Sequence, residues 1–124
     1  MIVMGMCAQA QFYFSCTHRE YYVYDVETED FTYLNGYDEN SMFKLNENLT
    51  MFEHTTPDIS STYYVSKSEY DEEEGTLSMD VVSDVGNKYF YTFDVDREKI
   101  RVLYTRDDSI YLLVFTIKKY WTED

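Results

Sequence analysis

Residues 76–105 read TLSMDVVSDVGNKYFYTFDVDREKIRVLYT. Leu77, Met79 and Val81 alternate with Ser78 and Asp80. After DVGNK (84–88), Tyr89, Tyr91, Phe93 and Val95 share one face, and Lys88, Thr92 and Asp94 the other. After the turn DREK (96–99), Ile100, Val102 and Tyr104 fall together. A side-chain period of two marks a strand with one buried face. Three such runs joined by short polar turns predict consecutive antiparallel hairpins.

The same grammar extends in both directions. Upstream lie EYYVYDV (20–26), a break at ETED (27–30), and FTYL (31–34). NGYDENS (35–41) is read as a turn, because Asn35 and Gly36 both tolerate positive φ. MFKLN (42–46), LTMFEH (49–54) and STYYVSKSEY (61–70) follow, separated by NEN (46–48) and by TTPDIS (55–60), and DEEEG (71–75) turns the chain again. Downstream, RDDS (106–109) precedes SIYLLVFTIK (109–118), which is apolar on both faces and is expected to be central or covered on both sides. Eight or nine strands in sequential hairpins form a meander. Such a meander protects its edges by closing into a small barrel, lipocalin-like in topology, or by folding over as a β-sandwich. The barrel is the favoured expectation. No Cys-Trp-Cys spacing supports an immunoglobulin sandwich.

One domain suits 124 residues, placed here at 11–124. The formal net charge is −14. A polyanion is repelled by other polyanions over roughly a Debye length, ~8 Å at physiological salt, which argues against nucleic-acid partners and anionic membrane surfaces. Acidic charge also simply confers solubility. No segment reaches the ~18 apolar residues that a membrane-spanning helix needs, so membrane insertion is not expected.

The first ten residues, MIVMGMCAQA, allow two readings. Ala8 and Ala10 have the small-x-small spacing of a signal-peptidase site, so 1–10 are the remnant of a signal peptide and the protein is exported. Alternatively MIVMGMCAQAQFYF is a first strand and the protein is cytoplasmic. Cys7 and Cys16 could pair if both remain, and Cys16 alone is expected to be a small buried apolar residue. The phrases STYYVSKSEYD (61–71), SDVGNKYFYTFD (83–94), REKIRVLY (97–104) and KKYW (118–121), with the CAQA start, resemble small exported Tyr-rich β proteins of Bacteroidota and their phages. That resemblance implies export and β structure and carries no activity. With it goes the tripeptide Asp108-Ser109-Ile110, which resembles an O-glycosylation site of such proteins.

Candidate chemistry is sparse. His18 and His54 lie far apart and show no metal-ligand spacing. Both are expected to be satisfied or solvent-exposed. Cys16 and His18 would point to the same face of a regular strand, about 7 Å apart. Asp94, Asp96 and Glu98 form a fragment of a calcium-loop pattern that lacks its glycine and distal glutamate, which makes them weak metal candidates only. No cofactor is expected. The fourteen tyrosines are the distinctive feature. Tyr22, Tyr24, Tyr63, Tyr89 and Tyr91 are the candidate ligand-contact residues, because tyrosine offers a rigid ring with a polar tip. Cross-strand packing explains the same residues without a ligand.

These features favour a non-enzymatic, exported binding or interaction module with a protein, small-molecule or glycan partner. An acidic mimic of nucleic acid that inhibits a DNA-binding enzyme is the alternative, and a small carboxylate-dependent hydrolase a further one. No catalytic motif is present.

Overall fold

In the computed structural model, which describes residues 10–123, the chain forms eight antiparallel strands closed into a barrel. They are β1 (Gln11–Asp25), β2 (Asp30–Leu45), β3 (Met51–Thr55), β4 (Ser60–Asp71), β5 (Thr76–Ser83), β6 (Lys88–Asp94), β7 (Lys99–Arg106) and β8 (Ser109–Glu123). Each strand pairs with its sequence neighbours, and β8 returns to β1 over Val23–Tyr111 through Gln11–Glu123. Closure leaves no edge strand to template aggregation. The described residues contain no helix, so none is long and apolar enough to cross a membrane. Residues 1–9, which hold all but Ala10 of the leader expected at 1–10 and the Cys7 that could pair with Cys16, lie outside the described residues.

The period-two faces fall as the sequence predicts. Leu77, Met79, Val81, Tyr91, Phe93, Ile100 and Val102 are all buried inside the barrel. Phe12, Phe14, Phe43, Leu45, Phe52, Phe115 and Ile117 complete the core. Phe43 is its hub, with ring centroids 5.1 Å from Phe115, 5.9 Å from Phe93 and 6.1 Å from both Phe52 and Tyr91. An eight-stranded barrel has an interior just wide enough to be filled by side chains or to hold one small ligand. Here phenylalanines fill one half.

Acidic residues punctuate the turns for a local reason. The side chains of Asp25 and Asp71 accept the backbone N–H groups of Glu27 (2.8 Å) and Glu73 (3.0 Å). Asx-turn bonds of this kind favour Asp at the first position. Glu29, Gly75 and Glu98 close three hairpins at positive φ, and Asp107 and Asp108 (φ 50° and 66°) form a two-residue turn of the type that matches strand twist.

One expectation fails, and a second, that SIYLLVFTIK is central or covered on both sides, holds only in its first arm. NGYDENS is not a turn: β2 runs unbroken through it, which merges two expected strands and gives eight. Gly36 is there for close approach, since a Cβ would lie 3.0 Å from the Arg19 carbonyl oxygen and 2.9 Å from the Tyr33 hydroxyl. β8 is not covered on both faces. Both its edges are paired, but Ile110 at its start is exposed and Leu112 and Val114 are only half-buried. Barrel closure requires each edge to be paired and leaves the outer face to solvent.

Candidate functional site

Between Cys16 and His18, β1 slips register against both neighbours. A bulge shifts the inward set by one residue. Phe12, Phe14 and Cys16 point inward before it, and Arg19 and Tyr21 after it. Arg19 thus sits opposite Phe115 on β8 and Tyr37 on β2, with its side chain only 11% exposed. The guanidinium pairs with Glu39, donates from Nη1 to the Tyr21 hydroxyl (3.0 Å), and lies 4.8 Å above the Phe115 ring.

Arg19 forms one wall of a chamber of about 220 Å³ in the half of the barrel that phenylalanines do not fill. Tyr21, Tyr63, Tyr89, Tyr91 and Tyr104 line it, with His54 and Phe115 deeper and Arg106 toward the rim. The tyrosine rings brace one another edge to face: Tyr63 on Tyr89 at 5.7 Å, Tyr89 on Tyr104 at 5.6 Å and Tyr89 on Tyr91 at 6.3 Å. Burial pushes the Tyr91 hydroxyl well above the ordinary phenol range, so it remains a neutral donor.

His54 stacks flat on Phe43 at 4.0 Å and meets Phe115 edge-on at 5.0 Å. It is 7% exposed, and among the described residues its Nε2 has no hydrogen-bond partner; Arg19 Nε is buried and unpartnered there in the same way. Burial, reinforced by the Arg19 charge, brings the His54 pKa down to about 3, so the ring is neutral. The expectation that His54 is satisfied or exposed is therefore wrong: stacking between two phenylalanines takes the imidazole out of water without supplying a partner. A buried polar group left unpaired costs about 1–3 kcal/mol.

Of the tyrosines singled out in the sequence, Tyr63, Tyr89 and Tyr91 come together in the chamber. Tyr22 and Tyr24 do not join them. Tyr22 donates to Glu20 (2.6 Å), whose carboxylate pushes the phenol up to about 12, and packs against Tyr33; Tyr24 packs on Phe31 at 5.4 Å. Arg19, Tyr21, His54, Tyr104, Arg106 and Phe115 were missed as site residues. Tyr104 shares the inward parity of Tyr89 and Tyr91 and was legible. Arg19 was not, because a strand without the bulge turns it outward.

The remaining candidates separate. The same bulge parts Cys16 from His18. Cys16 is buried, with its thiol pushed up to about 12 by burial, and among the described residues it has no disulfide partner. His18 lies near the surface, bonded to Asp38 (2.8 Å) and Glu20 (3.1 Å), which raise its pKa. Asp94 is fully buried: Oδ2 accepts from Arg101 (2.9 Å) and Arg97 (3.1 Å), and Oδ1 from the Arg97 backbone (3.2 Å). Burial opposes its ionisation, but the Arg101 and Arg97 bonds win and hold it below the usual range. Its oxygens are thus occupied, and among the described residues no three potential ligands, Asp94, Asp96 and Glu98 included, gather into a metal-binding group.

Comparison with protein-family models, with curated proteins and with solved structures finds no significant match to this chain.

Proposed function

We propose that this protein is a small, non-enzymatic, exported binding module that holds a small molecule in the tyrosine-lined chamber. The observation that carries the reading is the chamber itself, about 220 Å³ walled by five tyrosines beside Arg19 and His54. Concave pockets lined mainly by aromatic side chains with a few polar groups are the usual small-molecule sites of folded proteins. Export rests on the CAQA sequence alone.

Thermal denaturation with a panel of anionic, cationic and neutral small molecules tests the reading, run in parallel on Leu113→Phe, which fills the chamber from β8. A compound at a hundredfold excess over its Kd stabilises by about 2.7 kcal/mol. Stabilisation is expected in the original chain and not in the filled variant. Equal stabilisation of both, or of neither, refutes chamber binding. For export, intact mass from an exporting host should give a chain that starts at Gln11, and retention of residues 1–10 refutes it.

A further inference from the structure

Closure gives every strand two neighbours, but not over its whole length. β2 pairs with β1 from Asp30 to Leu45 and with β3 only over 42–45. β3 ends at Thr55, opposite Met42, and the chain then turns into β4, which pairs onward with β5. Over 30–41 the far side of β2 therefore has no ladder partner among the described residues. A strand with one unpaired side presents a row of backbone donors and acceptors that another extended segment can join. None of residues 30–41 lines the tyrosine chamber, so this surface is separate from it.

The side chains along the open edge are apolar in the middle and acidic at both ends. Tyr33, Leu34 and Tyr37 stand 54%, 49% and 45% exposed. Leu34 is the extra residue of a bulge, since Tyr21 pairs with Asn35 and Tyr22 with Tyr33. A second register shift ends the regular run at Asp38, which leaves 30–38 as the usable edge, long enough for a segment of about eight residues. Lys and Pro, which commonly blunt such edges, are absent from it. Its charges have one sign. Residues 20–40 hold Glu20, Asp25, Glu27, Glu29, Asp30, Asp38 and Glu39, and no Lys, Arg or His. Arg19 pairs with Glu39, and His18 is bonded to Asp38 and Glu20, but among the described residues Glu27, Glu29 and Asp30 at the tip have no ion pair.

We propose that the open edge of β2 over 30–38 is a docking site for an extended segment of a partner protein, with a short apolar or aromatic core flanked by Lys or Arg. The segment adds a strand beside β2 through main-chain hydrogen bonds. Its core covers Tyr33, Leu34 and Tyr37, and its cations meet Asp30 and the tip acids at one end and Asp38 at the other. Opposite charges steer such a segment to the edge and reject wrong partners. A second copy of this chain does not suit the edge. Antiparallel pairing of two β2 edges centred on Leu34 would set Asp30 of one copy beside Asp38 of the other, and like charges directly opposite are destabilising. The single-sign charge thus does the work that Lys or Pro does on other open edges, and it leaves a cationic strand admissible.

A set of short peptides with alternating Val/Tyr and Val/Thr cores, flanked at both ends by lysines or, in the matched set, by glutamates, tests the assignment on the full-length chain by fluorescence anisotropy and backbone-amide NMR. Lysine-flanked peptides are expected to bind at least tenfold tighter than their glutamate counterparts and to shift and protect amides within 30–38. Methylating alternate peptide nitrogens removes the donors from one peptide edge, so it should abolish binding in one phase and spare it in the other. Leu34→Lys, at an exposed position, should weaken the lysine-flanked peptides at least tenfold while the circular dichroism spectrum and melting temperature stay those of the original chain. Failure of every lysine-flanked peptide to bind overturns the proposal, and so does equal binding of the glutamate set. Binding that ignores methylation in both phases overturns strand addition. A dimer of the chain alone in sedimentation, lost in Leu34→Lys, would assign the edge to a second copy and overturn the partner segment. None of these outcomes bears on the chamber, which the small-molecule panel and Leu113→Phe test separately.

Discussion

Acidification from pH 7 to pH 5 should weaken the fold through His54 alone by about 2 kcal/mol. The imidazole titrates near 6.5 in an unfolded chain and near 3 in the barrel, where burial against Phe43 and Phe115 disfavours its charge. Above pH 6.5 both states hold it neutral, and it adds no pH dependence. Between pH 6.5 and about 3 the unfolded state binds the extra proton. Stability therefore falls as pH falls, by about 1.4 kcal/mol per pH unit, and the full span amounts to about 5 kcal/mol. The interval from pH 7 to 5 isolates this effect from most carboxylates, which stay ionised there. His18 works in the opposite sense: its raised pKa favours the folded state at low pH and that favour is lost as pH rises. It is common to both chains when the original is compared with His54→Leu. Urea unfolding at pH 7, 6 and 5 should show the midpoint of the original chain dropping by about 1 M relative to the variant. Parallel midpoints, or a His54 ring resonance that titrates near 6.5 in the native protein, would show that the imidazole is not held neutral by burial and would remove the physical basis of the chamber's deep wall.

Phe43→Ala should cost about 3–5 kcal/mol in urea unfolding, because Phe43 touches rings from three other strands and its removal opens a cavity that no neighbour can fill. A loss under 1 kcal/mol would mean that the barrel's phenylalanine half is loosely packed. In a Cys7→Ser chain, which leaves Cys16 as the only thiol, iodoacetamide at pH 8 should label Cys16 far more slowly in the folded protein than in urea. Equal rates by mass spectrometry would place the thiol outside the core.

The alternation of residues 76–105 was sufficient by itself to fix three strands, their turns and their inward faces, because side-chain direction within a regular strand is a local property of the pleat. The acidic turns and the inward placement of Tyr89, Tyr91 and Tyr104 were legible for the same reason. What the sequence alone could not show is where that alternation is interrupted. The bulge after Cys16 is set by β1 having to pair with β2 and β8 at once, and it turns Arg19 into the barrel and parts Cys16 from His18. Asn35-Gly36 has the composition of a turn, but its long-range pairing with Tyr21 and Glu20 holds it extended. The chamber arises only when β1, β3, β4, β6, β7 and β8 meet around one axis, and no spacing along the chain encodes that meeting.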